Sequence, residues 1–384
     1  MADGGALAMQ IDRVGEQTSK AARALGWLPA YAWQLLVRRP QRGRPAHLVV
    51  ALADHFEPSI VPERPSDYAS ADEQERRLDR WCRMYPRVVD SLRDADGYPF
   101  RHTYFYPAEQ YDKALIDRLA EHCHAGWGEI DIHLHHGLDG PDTPANLRRV
   151  LCEFRDALDA RRCLPRWNGE DRARYAFVHG NWTLANSGDG RLCGVDEEMQ
   201  ILAETGCYAD FTLPSAPNRA QVRKINALYE CARPLNERAP HRQGRDLRVG
   251  RPPTTFPLIV QGPLGLSFVR GRRSLPRLEN AALTTPHPPT MRRLHLWKRA
   301  AITVAGRPDW LFIKLHCHGM DPRDEDAMLG APLRHFLRQL VAEPRVHFVT
   351  AREMVNIALA ACDGRDGNPG DYRHYRLRLT SPSR

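Results

Sequence analysis

The residues of this chain best suited to chemistry are histidines that recur where apolar runs end. Asp54-His55 follows HLVVALA (47–53), and His133-Leu134-His135-His136 closes GEIDIHLHH. His179-Gly180-Asn181-Trp182 closes YAFVHGNW, and His316-Cys317-His318 closes DWLFIKLHCHG. Neutral imidazoles bind zinc, cobalt, nickel or iron, and an added carboxylate completes a site with a position left for water. His133 and His135, two apart, share a face if the strand persists; His133 and His136 chelate instead if it yields to a turn. A metal at such a place lowers the pKa of bound water and polarises a carbonyl. Asp54 is then placed to take the proton, and a histidine to protonate the leaving group.

The elements that must position these residues alternate. Strands are expected at 47–53, 102–107, 128–136, 175–182, 208–214, 309–319 and 346–350. Helices are expected at roughly 71–94, 111–123, 146–161, 197–205, 326–342 and 352–361, with Gly206 as a C-cap. Strands alternating with helices predict parallel β/α architecture, and in β/α barrels active sites gather at the C-terminal ends of the strands. The expectation is an α/β fold, an irregular (β/α)7-type barrel. It has an N-terminal extension (1–45), a barrel over 46–361 with an Arg- and Pro-rich insert at about 215–305, and a polar tail (362–384). Ser187-Gly188-Asp189-Gly190 reads as a turn. Thr212-Leu213-Pro214-Ser215 reads as a structural turn or pocket wall.

Composition sets limits on function. The net charge of +8 suits anionic partners, although surface arginine alone accounts for it; no nucleic-acid signature accompanies it. The nine cysteines include no C-x-x-C pair, which favours reduced thiols and a cytoplasmic location. No run spans a bilayer, and Asp3 and Asp12 interrupt any signal peptide. Residues 25–44 combine Trp27, Leu28, Tyr31, Trp33, Leu35 and Leu36 with Arg38, Arg39, Arg42 and Arg44. They are read as a helix packed on its own domain, or as a peripheral membrane contact. The absence of G-x-S-x-G, P-loop and dinucleotide motifs disfavours serine esterases, kinases and Rossmann oxidoreductases.

In order and placement these motifs resemble the polysaccharide deacetylase family, over roughly residues 46–358. That family ends its first strand with two aspartates, a base and a metal ligand; Asp54 matches the base and His55 the ligand. Its second motif, Gly-His-Glu-Ile-Gly-x-His, is matched by Trp127-Gly128-Glu129-Ile130-Asp131-Ile132-His133. The family's next ligand falls four residues on, at Gly137, so His136 is preferred narrowly over His135 as the substitute. Leu315-His316 resembles the late motif that supplies the catalytic acid, and Phe348–Glu353 resembles the closing strand-to-helix segment. HGNW lies near the third motif but lacks its arginine. His179 and Asn181, with Trp182 and His318, are candidates for substrate binding or oxyanion stabilisation.

The resemblance implies a metal-dependent hydrolase acting on an N-acylated sugar or polysaccharide. Metal-bound water attacks the amide, with Asp54 as base, His316 as acid, and His55, His133 and His136 as ligands. The cofactor is a divalent metal, zinc ahead of cobalt, nickel or iron. The partner is a glycan or small-molecule substrate, with no specific nucleic acid. A non-sugar linear amide and a catalytically silent glycan-binding barrel are the alternatives.

Overall fold

The computed structural model describes residues 25–38, 46–64, 67–188, 190–268 and 276–379. Arg39, Arg42, Arg44, Asp189 and most of the N-terminal extension lie outside the described residues. The strands are β1 (His47–His55), β2 (His102–Pro107), β3 (Gly128–Leu134), β4 (Pro165–Trp167), β5 (Tyr175–His179), β6 (Cys207–Asp210) and β7 (Leu228–Cys231). They continue with β8 (Gly244–Asp246), β9 (Leu258–Val260), β10 (Gly265–Phe268), β11 (Pro276–Glu279), β12 (Trp310–Cys317), β13 (Val346–Val349) and β14 (Leu377–Leu379).

Ten strands form one sheet, ordered β12-β1-β2-β3-β5-β6-β9-β7-β8, with β13 also paired to β1. Every pairing is parallel except those of β7 with β8 and β9. β1 is central. It pairs with β12 along its length on one side; on the other, β13 takes Leu48–Ala51 and β2 takes Leu52–His55. The sheet does not close by a strand ladder among the described residues. The free edge of β12 is covered by the insert, where Leu283 N donates to His316 O at 2.8 Å and Phe312 N to Ile302 O at 2.9 Å. An irregular segment thus satisfies part of the backbone row that a closing strand would have taken.

The insert is not set apart from the main sheet, because β7, β8 and β9 extend it. The helix expected over 326–342 is two helices, Glu325–Leu329 and Ala331–Leu340, broken at Gly330. The helix after β5 ends at Gly206 in the left-handed region (φ 110°), as its C-cap role requires. All nine cysteines are free. No described helix is long and apolar enough to cross a membrane. Helix Leu28–Val37 rests on the insert through buried Trp27, which packs with Ala216, Ile225 and Leu264. Arg38 of the expected basic cluster donates to Asn226 O at 2.9 Å, so it ties the chain to the domain. Trp33 and Leu36 remain 65% and 73% exposed.

The sheet has two apolar faces. Leu48, Val50 and Leu52 of β1 pack outward beneath the surrounding helices, with Ile130, Ile132 and Leu134 of β3. Val49, Ala51 and Ala53 face inward with Val178, Phe211 and Phe312. Helix Ala351–Cys362 is buried along its whole length against this inner face. Its capping box joins Thr350 to Glu353. Arg352 donates to both carboxylate oxygens of Glu129 of β3, from Nη2 at 2.6 Å and from Nε at 3.0 and 3.2 Å. Glu353 accepts from Arg101 at 2.5 Å and from Arg373 at 3.3 Å.

Burial works against charge on Glu353, yet Arg101, Arg352 and Arg373 hold its carboxyl down at about 2. The depressed folded value means that its stabilisation is complete above the unfolded carboxyl value, ~4.3. It is lost as pH falls through about 2. Glu353→Gln, which leaves arginines without a counter-charge, should cost about 3 kcal/mol or more. Urea unfolding at pH 7 and pH 3 checks this; an unchanged midpoint at pH 7 would reject the assignment.

Candidate metal centre

Continuing the alternation past the apolar runs decides where each polar residue points. On β1 the inward series Val49, Ala51, Ala53 leads to His55 and then Glu57. On β12, Phe312 leads to Lys314, His316 and His318; on β3, Asp131 leads to His133 and His135. Three strand ends therefore each deliver a pair of polar residues, two apart, to one place. The His55 ring lies 4.9 Å from that of His133, 4.7 Å from that of His318 and 6.3 Å from that of His316. The His133 and His135 rings are 4.6 Å apart. Glu57 Oε1 stands 3.3 Å from His133 Nε2, 3.9 Å from His318 Nε2 and 4.0 Å from His135 Nε2.

One ligand atom from each of His55, Glu57 and His133 falls within 4.8 Å of the others. The surroundings suit a cation. His55 Nδ1, His133 Nδ1 and His316 Nδ1 are buried without a hydrogen-bond partner, while His133 Nε2 meets Glu57. Such orphaned nitrogens are costly unless something ligates them. Burial first, then the neighbouring imidazoles, lowers the pKa of His55, leaving it neutral. Burial likewise lowers His133, followed by the effect of His135. Glu57 is opposed by burial, but its contacts with His133, His318 and His135 hold it at about 2, so it is ionised. Two neutral imidazoles and one carboxylate are a donor set used where a metal keeps a position open.

The open side is edged by His135 and His318, whose side chains are 19% and 30% exposed. His135 Nδ1 lies 2.7 Å from Glu109 Oε1, just after β2. Burial would lower its pKa, but Glu109 and Glu57 raise it. Its ring lies over Gly180, where a Cβ would come within 2.3 Å of it. Glu109 also lines a cavity of about 710 Å³ beside helices Ala71–Val89 and Lys113–His122, with Tyr68 and Tyr111 on its wall.

Several expected residues lie elsewhere. Asp54, the expected base, points to the opposite face from His55, because adjacent strand residues must. There its carboxylate takes the Gly319 amide at 2.7 Å and stands 2.9 Å from His102 Nδ1, fully buried beside Cys317. It braces the turn that carries His318 and has no access to solvent. His136, the preferred ligand, also faces outward. It meets Asp142, Glu198 and the ring of His179, not His55. Gly137, where the family pattern places a ligand, has φ +67°, and a Cβ there would come within 2.3 Å of Cys193 O. No histidine fits there without moving that backbone.

His179 shares the outward face with His136, because Tyr175 and Phe177 do so before it. Asn181 N donates to His179 Nδ1 at 3.2 Å, so Asn181 belongs to the turn beyond this outward cluster, as does Trp182. His316 faces inward and is buried, with its pKa lowered well below the usual value by burial and by Lys314. Glu57, Glu109 and His135 complete the inward group, and Cys193 and Glu198 the outward one. Glu57 could have been found by carrying past the end of β1 the two-residue period that already pairs His133 with His135. Cys193 and Glu198 carry no comparable signal, since a loop brings them in.

The chain matches no protein-family model and no curated protein sequence. Asp54→Asn should lower the melting temperature by several degrees through loss of the charged brace, ~1.5–3 kcal/mol. Metal bound per folded chain should stay unchanged. Loss of metal in folded Asp54→Asn, measured by elemental analysis, would return Asp54 to the centre.

Proposed function

We propose that the chain is a metal-dependent hydrolase, with a cation held by His55, Glu57 and His133. The convergence of three strand-end pairs, with several ring nitrogens buried and unsatisfied, carries this reading. When bound, the cation supplies Lewis acidity, polarising a carbonyl and lowering the pKa of water. His135 is the proton carrier. Glu109 fixes its ring through Nδ1, leaving Nε2 directed toward the Glu57 side of the site. That nitrogen takes the proton from the attacking water and returns it to the departing amine. His318 closes the opposite rim and orients the carbonyl oxygen. His316, buried behind His55, supports the packing of the rings, and Asp54 holds the His318 turn.

For substrate we propose an N-acylated sugar or oligosaccharide, releasing its acyl group. The cavity that Glu109 also lines supports this, since Tyr68 and Tyr111 there offer ring faces for sugar stacking.

Zinc content and acetate release from N-acetylglucosamine oligomers test the proposal. His133→Ala should lose the catalytic metal and activity together. His135→Ala should keep the metal but lose activity by ~10²–10⁴-fold. Full zinc in His133→Ala would remove the centre. Ammonia from small linear amides, without acetate from sugars, would move the reaction to another substrate class.

A further inference from the structure

We infer that His136, His179, Cys193 and Glu198 form a second cation site, closed and structural, on the outward face of the same strand ends. Its preferred ion is zinc. One donor atom from each of these four residues lies within 4.8 Å of the others. His136 Nε2 is 3.2 Å from Glu198 Oε1, Cys193 Sγ is 3.4 Å from Glu198 Oε2, and His179 Nε2 is 3.9 Å from Glu198 Oε2. A tetrahedron with zinc bonds of about 2.0–2.3 Å has edges of about 3.3–3.8 Å. The spacings already approach that figure.

His179 Nε2 is completely buried, has no hydrogen-bond partner and points into the cluster. Asp142 Oδ2 stands 2.9 Å from His136 Nδ1, the carboxylate placement that orients a metal-binding imidazole. Asp142 is itself held by Thr143 N at 2.7 Å and Asn146 Nδ2 at 2.8 Å. Thiolate, two imidazoles and a carboxylate make a set typical of zinc. All four residues are buried, so no coordination position is left for substrate. This contrasts with the inward centre, which has three donors and an open rim.

Binding is balanced by proton release. The Cys193 thiol proton and the Nε2 proton of His136 go to solvent. The His179 ring proton moves to Nδ1, giving up the 3.2 Å contact with Asn181 N. The ion then ties the loop carrying Cys193 and the first turn of helix Glu198–Thr205 to the ends of β3 and β5. His136 is the direct neighbour of His135, so the clasp also fixes the end that carries His133 and His135.

The site shares no ligand with the His55–Glu57–His133 centre, and of these two only this one contains sulfur. Cobalt(II) loaded into the full chain therefore reads it separately, through thiolate-to-metal charge transfer in the near ultraviolet. The band should appear in wild type, persist in His133→Ala and vanish in Cys193→Ala. Zinc should fall from about two to about one per chain in Cys193→Ala. Absence of the band from cobalt-loaded wild type, or its survival in Cys193→Ala, would overturn the site. Cys317 stands with Asp54 and His102 in another buried group, so the band must also persist in Cys317→Ala, and its loss there would overturn the site even if Cys193→Ala fails to fold.

Discussion

Side chains on a strand point alternately to opposite faces, and at the ends of β1, β3 and β12 this period of two sorts the polar residues into separate chambers. His55 and Glu57 go inward while Asp54 goes outward; His133 and His135 go inward while His136 goes outward. Parallel pairing keeps these ends level, because β1 runs in register with β12 through Asp54 and Cys317. The inward cluster follows from that register. A slip of one residue in β1 would exchange the histidine and glutamate for the aspartate.

Close backbone approach then makes room for the rings. Gly180 lets the His135 ring lie on the turn after β5, and Gly319 lets the β12 turn reach the Asp54 carboxylate. Trp81 and Tyr85 stack in parallel on the outward side, with Tyr85 packing edge-on against His102. The Asp54–His102 contact is thereby sealed from water, where a charged hydrogen bond is strongest. Asp54 contributes rigidity to the His318 turn instead of proton transfer.

The helix at Ala351–Cys362 has a related part at the other side of the inner face. It is buried all round, so the charges near its start require partners. Arg352 spans to Glu129 on β3, while Glu353 gathers Arg101 and Arg373. Arg373 also donates to Asp94 and Asp96, each at 2.7 Å. These bonds link the first part of the chain to its C-terminal segment. With the apolar inner face they form the seat above which the inward histidines stand.

The amino-acid order by itself determined the alternation of strands and helices, the parallel sheet, and the gathering of histidines at strand ends. Those features depend on local periodicity and capping, as at HLVVALA and at Gly206. Local pattern also held the inward set, since a period of two run past Ala53 reaches His55 and Glu57. Only the tertiary structure decided that the β12 edge is covered by the insert, that His135 and not His136 stands with His133, and that Gly137 closes on Cys193. Each depends on contact between segments far apart in the chain. Where strand geometry gives way to a turn or loop, spacing no longer fixes direction, and the neighbouring backbone does.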